Sequence, residues 1–556
     1  MSLERRDQVA GEYDYIVVGG GSSGCLTAGR LVKDHGARVL VLEAGPSDRN
    51  PLVSMPAGFI KLLGVDKFMW FYETEKQERL GGRAPIIPQG RIVGGGSSVN
   101  AMIYVRGQPA DYDPWEEASG GAGWAYRNIV AHMRRMEGNQ RLHNALHGVS
   151  GPLKVSDPVH TCEASRAFVR AAQGAGIPYS HDFNGQRQTG IGFYQTTTYQ
   201  GRRCSAANAF LDPVRNDPRL ILETGVLVSR IVLEGKRAVG VEYVRNGQTV
   251  QARAKQEVIL CAGAIATPKL LMLSGIGPEA ELQRHGIALK HRLDGVGANF
   301  QDHHEVPVIA MTNGAYGYHK QDVGFAKYRN GLQYLLFKSG PVASHGVEAG
   351  GFYNPEDTDA DPTIQLFCVP AVFLDKDITD IQPDHGITVN SCLLRPKSRG
   401  RISLRSADPN ARPVIEPNYF DHPDDLRITL ASVKFVREIF ETEPLKDMVK
   451  KVVFPSDELK TDEQLIGHCK RFVKTVYHPA GTAKMGTERD PMAVVDPELR
   501  VIGLEGLRIF DASMMPNIMS GNTNTIVLAV ADKGVALMMG EELPAPIDLP
   551  NRPLAA

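Results

Sequence analysis

The sequence lacks the features that mark secreted, membrane-spanning and disulfide-rich proteins. Its seven cysteines are an odd number without a Cys-x-x-Cys pair, which argues against a disulfide framework and favours a reducing compartment. No run of about 18 apolar residues occurs, so we expect no membrane span. The first seven residues lack the apolar core of a signal peptide. We therefore expect a cytoplasmic protein, and peripheral contact with a membrane stays open.

An excess of charge of one sign is also absent. Lys and Arg total 62, Asp and Glu total 63, and no basic stripe stands out, so no nucleic-acid partner is expected. His143 and His147 lie four residues apart, but no third ligand accompanies them in that segment. We predict no metal site.

Glycine is abundant, and the first glycine cluster lies between a predicted strand and a predicted helix. The apolar run 15–18 is typical of a buried parallel strand. A helix is predicted over 22–33, and a second strand over 38–43 ends on Glu43. The order of strand, glycine-rich turn, helix and strand predicts a Rossmann-like unit.

The turn carries the pattern Gly-x-Gly-x-x-Gly of dinucleotide-binding proteins. Gly19 permits the tight turn, Gly21 lets the backbone approach a pyrophosphate, and Gly24 lets helix and strand pack closely. Glu43 follows Gly24 by 19 residues and is placed to accept a hydrogen bond from a ribose hydroxyl. The pattern predicts a dinucleotide site without settling which dinucleotide it holds.

A rival interpretation uses the same turn, which also contains the Gly-x-Ser-x-Gly pattern of a hydrolase nucleophile elbow. Ser22 would be the nucleophile and His478 its base. This serine would follow the very first strand, so no earlier strand or loop would supply the second oxyanion donor, and Glu43 would have no role. The hydrolase is the weaker hypothesis.

Five blocks spread over nearly the whole chain resemble segments of the glucose–methanol–choline (GMC) oxidoreductases. They are GRIVGGGSSVN at 90–100, GAIATPKLLMLSGIG at 263–277, GANFQDH at 297–303, YHPAGT at 477–482 and GNTN at 521–524. The stretch 100–115 is similar in texture to bacterial FAD-dependent alcohol and choline dehydrogenases. The resemblance implies an α/β fold, with a Rossmann-like FAD-binding domain and a substrate-binding domain built on an antiparallel sheet.

The implied domains are discontinuous along the chain. The FAD-binding domain would comprise 13–50, 86–150, 205–303 and 466–545. The substrate-binding domain and its lid would comprise 51–85, 151–204 and 304–465.

The nucleotide motif and the resemblance together predict the residues that contact FAD. They are Gly19, Gly21, Ser22, Ser23, Gly24, Glu43, Trp70, Val93, Gly95, Asn100, Ala101, Met102, Val228, Tyr477, Asp511, Ala512 and Thr523. Trp70 and Val228 fit simple core packing equally well. Some family members attach FAD covalently through a histidine just before this asparagine; Val99 stands there, so we predict non-covalent FAD.

The resemblance also implies a catalytic pair for oxidising a primary alcohol to an aldehyde. His478 would be the general base, because an imidazole titrates near neutrality. Asn522 would hydrogen-bond the substrate oxygen. The family pattern has Pro and Thr where Ile526 and Val527 stand, so the start of the last helix is expected to shift slightly.

Several functional alternatives stay open. A choline-dehydrogenase-like enzyme is one, since an acid near Glu305 meets the substrate ammonium in choline-oxidising relatives. A non-redox FAD lyase is another. No second Gly-x-Gly-x-x-Gly lies between a strand and a helix, so no NAD(P) site is evident. The partners would be a small-molecule alcohol and an external electron acceptor: oxygen, a quinone or another carrier.

Overall fold

The computed structural model describes residues 8–374 and 384–549, and two large sheets organise them. The first sheet runs in the spatial order Leu220–Thr224, Val39–Glu43, Gln8–Val18, Gln248–Leu260, Arg237–Arg245 and Leu227–Glu234, and Leu507–Ile509 also pairs with Gln248–Leu260. The two strands at the Arg237 end pair antiparallel, and the other pairings are parallel. Every residue of Val39–Glu43 is buried, because helices cover both faces of a parallel sheet.

Two helices from opposite ends of the chain pack together on this sheet. Ser22–His35 begins directly after the glycine-rich turn and ends at Gly36, which adopts the left-handed conformation that glycine favours (φ 68°). Asn524–Met539 lies against it, and Arg30 forms an ion pair of 2.6 Å with Glu541 just beyond that helix. The first and last parts of the chain therefore form one structural unit.

The second sheet is antiparallel throughout. Its spatial order is Val449–Phe454, His304–Thr312, Gly386–Leu393, Ile364–Val369, Ala349–Tyr353 and Gly190–Phe193, and Lys474–Thr475 pairs with the start of His304–Thr312. Side chains alternate between its faces. Val306, Leu366 and Val389 belong to a core cluster with the helices Glu163–Gly174 and Pro423–Phe440, whereas Phe367 and Val369 belong to another.

Shorter elements connect and cover the sheets. The other α-helices are Pro51–Ser54, Gly58–Leu62, Gly96–Val99, Asp113–Ala118, Tyr126–Met136, Gly263–Leu273, Glu279–Arg284, Gly324–Phe337, Leu445–Met448 and Asp462–Phe472. The strand pairs are Met69–Glu73 with Ile86–Gly90, Glu137–Asn139 with Leu153–Val155, Thr198–Tyr199 with Arg202–Arg203, Ile276–Gly277 with His291–Arg292, and Arg401–Ser403 with Val414–Glu416. Single turns of 3₁₀ or π helix are Glu78–Leu80, Pro109–Asp111, Ala207–Leu211, Asp212–Val214, Pro341–Ala343 and Ala512–Met514.

The predicted fold class is confirmed: a Rossmann-like parallel sheet stands beside an antiparallel second sheet. The strands of the second sheet lie within the ranges predicted for the substrate-binding domain, except Lys474–Thr475. The domain boundaries themselves stay a prediction. All seven cysteines are buried and unpaired. Among the described residues, no helix combines the length and hydrophobicity that crossing a membrane requires.

Candidate active site

A cavity of about 720 Å³ lies between the two sheets. Its floor includes Gly19, Glu43 and Ala262, which stand at or just beyond the carboxyl ends of three parallel strands. This crevice is where open α/β sheets bind their ligands. Phe367 and Asn390 of the second sheet also line the cavity. The volume is in the range of cofactor and substrate sites.

Two glycine-rich segments meet backbone to backbone at one end of the cavity. A Cβ at Gly24 would overlap the carbonyl oxygen of Gly19, so only glycine lets the helix approach the strand this closely. A Cβ at Gly95 (φ 51°) would lie 2.7 Å from the Cα of Gly21. The amide of Gly94 donates to the carbonyl of Gly20 at 2.7 Å. The contact leaves a cradle of bare backbone facing the cavity.

Glu43 lies beside this cradle and lines the cavity. Its two carboxylate oxygens accept the amides of Gly20 at 2.8 Å and Gly45 at 2.7 Å. Burial raises the pKa of Glu43 to about 7. Each oxygen keeps a second acceptor position, which fits the hydroxyl donors of a ribose.

Two helices begin at the cavity. Ser22, the first residue of one, donates its hydroxyl to Oδ1 of Asn524, the first residue of the other, at 2.8 Å. Their free N–H groups and partial positive charge suit the phosphates of a dinucleotide. Together with the cradle and Glu43, these termini fit FAD. The bond to Asn524 also gives the Ser22 hydroxyl a partner other than the base that a hydrolase would need.

All the residues predicted to bind FAD or act in catalysis line the cavity, except Gly24 and Val93. Val93 is buried in the core, and its carbonyl accepts the hydroxyl of Ser98 at 2.7 Å. The ring of Trp70 lies between the guanidinium groups of Arg91 and Arg412, at 4.3 and 4.4 Å from its centroid. Trp70 therefore stacks with cations at the cavity rim.

The side chains of His478 and Asn522 lie next to each other in the cavity lining. Nε2 of His478 lies 3.5 Å from Nδ2 of Asn522. Gln365, on the second sheet, donates its amide to Oδ1 of Asn522 at 3.2 Å. That bond fixes the asparagine amide with its NH₂ group toward His478.

The second ring nitrogen of His478 touches another histidine. Nδ1 of His478 lies 3.0 Å from Nδ1 of His303, and Nε2 of His303 lies 2.9 Å from the carbonyl oxygen of Leu394. A carbonyl only accepts, so His303 carries its proton on Nε2 and Nδ1 is an acceptor. His478 therefore donates from Nδ1, and the lone pair of its Nε2 faces the NH₂ group of Asn522 in the cavity.

Both imidazoles are neutral at physiological pH. Burial, reinforced by the neighbouring His303, holds the pKa of His478 well below its ordinary value of 6.5. Burial lowers the pKa of His303 to about 4. The lowered pKa keeps the His478 ring unprotonated, so its Nε2 can act as a proton acceptor.

Asp302 fixes the turn that carries His478. One carboxylate oxygen accepts the backbone amide of His478 at 2.9 Å, and the other accepts the hydroxyls of Thr475 at 2.5 Å and Tyr419 at 2.6 Å. Burial raises the pKa of Asp302 to about 7. Tyr477, just before the histidine, has a positive φ of 69°, so these bonds hold a turn that is unfavourable by itself.

Beyond His478 the cavity wall is apolar and aromatic. Its apolar residues here include Phe59, Ile60, Leu63, Val347, Phe367, Val369, Phe373 and Val476. Glu305 also lines this part, but its carboxylate forms an ion pair of 2.9 Å with Lys474, and both side chains are buried. Asn390, on the same sheet as Glu305, also lines the cavity. Its buried Oδ1 has no hydrogen-bond partner.

The sequence motifs did not reveal the supporting residues. Asp302 and His303 belong to a quoted block, GANFQDH, so their position was visible although their role was not. Gln365, Leu394 and Lys474 lie in segments without a motif, and only tertiary packing brings them to the site.

One group of side chains outside the cavity lining has a geometry that could hold a metal ion. Ligand atoms of His319, Asp384 and His385 lie within 4.8 Å of one another, and the three residues are exposed or half-buried. The prediction of no metal site stays a prediction.

Comparison with known proteins agrees with the geometry. Models of the N- and C-terminal domains of GMC oxidoreductases match residues 13–305 and 396–531. The chain is 40% identical over 534 residues to alcohol dehydrogenase [acceptor] of Pseudomonas putida, covering 95% of this chain and 96% of that protein. It is 40% identical over 537 residues to human mitochondrial choline dehydrogenase, covering 95% and 90%.

A solved structure matches over nearly the whole length. The crystal structure of pyridoxine 4-oxidase from Mesorbium loti superposes with a TM-score of 0.87 at 29% identity, covering 95% of this chain and 99% of that one. Two family models that together match most of the sequence, and relatives aligned almost end to end, confirm the resemblance. The chain therefore belongs to the GMC oxidoreductase family and is an FAD-dependent enzyme that oxidises CH–OH groups.

Proposed function

We propose that this enzyme oxidises an uncharged, apolar primary alcohol to the aldehyde, with His478 as the general base. One observation carries the proposal: Nε2 of His478 and the amide of Asn522 lie 3.5 Å apart at an apolar part of the cavity. An alcohol oxygen placed between them would meet a proton acceptor and a hydrogen-bond donor together.

The protein residues handle the proton and the geometry. Nε2 of His478 takes the hydroxyl proton, and Nδ1 stays bonded to His303 while the ring becomes an imidazolium. Asn522 donates to the substrate oxygen and holds the carbon in place. FAD, when bound, supplies the hydride acceptor, N5 of its flavin. The alcohol thus loses a proton to the protein and a hydride to the cofactor.

The apolar wall favours an uncharged substrate over choline. Aromatic rings attract a choline ammonium, and a free carboxylate beside them strengthens its binding. The carboxylate in the apolar part of the cavity, Glu305, already pairs with the buried ammonium of Lys474 at 2.9 Å. A second cation beside that pair would meet repulsion from Lys474. The choline-dehydrogenase-like alternative is therefore the weaker hypothesis.

The predicted FAD contacts are part of the proposal. The glycine cradle and Glu43 would hold the pyrophosphate and ribose, and Asn100 to Met102 would lie along the flavin. Val99 lines the cavity and has no nucleophilic atom, which supports non-covalent binding. Denaturation by acid should release all of the flavin into the supernatant. The electron acceptor and the cytoplasmic location remain predictions.

Anaerobic bleaching of the flavin tests the reaction. The FAD-loaded enzyme is mixed with a series of straight-chain primary alcohols and, separately, with choline, and the visible flavin absorbance is followed. We expect apolar alcohols to bleach the flavin and choline to do so far more slowly. His478→Ala should slow bleaching by about 10²-fold or more without releasing FAD. Bleaching by choline alone, or by no alcohol, would refute the proposal, and the latter would favour a lyase.

A further inference from the structure

The helix Gly324–Phe337 turns its apolar side chains toward solvent. Phe325 is 81% exposed, Tyr328 73% and Leu335 68%. Leu332 and Leu336 are more than half exposed as well. Large apolar side chains grouped on one surface mark an interaction site.

The spacing of these residues gives the helix an apolar outer face. Residues 325, 328, 332 and 335 recur at intervals of three and four, which places them on one side of a helix. The opposite side attaches the helix to the protein, because its buried residues are Asn330 and Tyr334. The hydroxyl of Tyr334 donates to the carbonyl of Gly201 at 3.0 Å. The helix is therefore docked, with its apolar face outward.

Basic residues outnumber acidic residues in and beside this helix. The stretch 320–338 contains four basic residues, Lys320, Lys327, Arg329 and Lys338, and one acid, Asp322. Lys327 and Arg329 are exposed within the helix itself. An apolar face rich in Phe, Leu and Tyr and bordered by Lys and Arg is the pattern of helices that lie in a membrane interface.

The segment that carries the exposed helix lies beside the entrance of the cavity. Ile60 lines the cavity and is 46% exposed, so it stands at an opening. Its neighbour Lys61 lies 3.8 Å from Asp322, just before the exposed helix. The amide of Ala57 donates to the carbonyl of Val342, just after that helix, at 3.2 Å. The helix and the cavity entrance share one side of the molecule.

We propose that the helix Gly324–Phe337 docks the enzyme on a bilayer containing anionic phospholipids. The face inserts Phe325, Leu332 and Leu336 among the acyl chains, while Lys327 and Arg329 meet the headgroups. A second copy of the chain fits this face less well, because pairing two copies would bring together two sets of cations. The docked enzyme receives apolar alcohols from the lipid through the entrance at Ile60.

Vesicle flotation of the FAD-loaded enzyme tests the docking. The vesicles contain phosphatidylcholine with phosphatidylglycerol, or phosphatidylcholine alone. We expect binding to the anionic vesicles that weakens with added salt, because surface charges are screened. Phe325→Ser/Leu332→Ser/Leu336→Ser should lower the partition coefficient by about 100-fold or more. Val149→Ser/Leu289→Ser, which removes exposed apolar side chains elsewhere, should bind like the wild type.

Two further measurements separate the outcomes. Flavin bleaching by a water-soluble alcohol without vesicles should be equal in the triple variant and the wild type, which shows that the variant is folded and loaded. Sedimentation in solution reports the oligomeric state. The proposal is overturned if the wild type does not bind to the vesicles. It is also overturned if the wild type is an oligomer that the triple substitution dissociates and vesicle binding is absent.

Discussion

The carbonyl oxygen of Leu394 controls which nitrogen of His478 carries a proton. It fixes the tautomer of His303, and His303 in turn fixes that of His478. A base whose lone pair faced away from the cavity would be useless even if it stayed in place. The position of one main-chain carbonyl group therefore determines the tautomer of the proposed base through two imidazoles.

Substituting His303 tests this chain of bonds. In His303→Asn, Oδ1 stands near the former Nδ1 position and can accept from His478, whereas His303→Leu offers no acceptor. We expect flavin reduction to slow by about 10-fold in the Asn variant and by about 10²-fold in the Leu variant. Stopped-flow absorbance under anaerobic conditions measures both rates. Equal rates in the two variants would show that His303 only fills space.

The pair of Glu305 and Lys474 sets the charge of the apolar part of the cavity. Lys474→Met keeps the length of the side chain but exposes the carboxylate of Glu305 to the cavity. We expect the KM for choline to fall by about tenfold and the kcat for apolar alcohols to change little. The double variant Lys474→Met/Glu305→Gln is the control, and it should not show this fall in the KM for choline. A gain that persists in the double variant would contradict the assigned role of Glu305.

The sequence could identify His478 and Asn522 because each lies in a motif that resembles a known family. It could not identify Gln365 or Leu394, whose contributions are contacts between strands far apart in the chain. Nor could it show that Lys474 neutralises Glu305. The resemblance to choline-oxidising relatives concerns only the acidic residue and not its partner. Motifs point to the candidate reacting groups, and tertiary packing decides the protonation and charge of those groups.

The local elements around the nucleotide motif were well predicted. The helix expected over 22–33 extends to His35, and the last helix, whose start was expected to shift, begins at Asn524. Hydrophobic periodicity and the positions of glycines are local signals, so they predict individual helices and strands. The order of strands in the second sheet depends on long-range pairing, and neither signal reports it.

Gly24 provides a test of how the first helix is held against its strand. A methyl group in Gly24→Ala would overlap the carbonyl of Gly19, so the helix must move away from the strand. We expect a loss of FAD and a destabilisation of about 3 kcal/mol or more. Gly467→Ala, in a helix where an added Cβ meets nothing within 4 Å, is the control and should be neutral or stabilising. Flavin content and thermal unfolding report both effects.

Across the molecule, buried neutral histidines tie stability to pH. Burial lowers the pKa to about 4 in four of them and well below 6.5 in His478; the four are His303, His304, His345 and His468. Below pH 6.5 these histidines bind protons in the unfolded chain but stay unprotonated in the native chain. Protonation then favours unfolding, by up to about 1.4 kcal/mol per pH unit for each group. Glu43 and Asp302, with pKa values raised to about 7, act in the opposite direction, as do Asp511 and His147, whose pKa values are also raised, but these groups are fewer.

The free energy of unfolding should therefore fall as the pH drops from 6.5 toward 4. Thermal unfolding of the FAD-loaded enzyme between pH 8 and 5 measures the slope. His468→Leu removes one titrating group away from the cavity and should flatten that slope. An unfolding temperature that stays constant from pH 6.5 to 5 would contradict this account.

The hydrogen bond between Ser22 and Asn524 has a consequence for biosynthesis. Ser22 leaves the ribosome first, and Asn524 follows more than 500 residues later. The strand Leu507–Ile509, which joins the first sheet, also arrives late. Until then the glycine cradle lacks its second helix terminus. We therefore expect the complete FAD site to form only after Asn524 has been synthesised, and a chain that stops before this residue should bind FAD weakly.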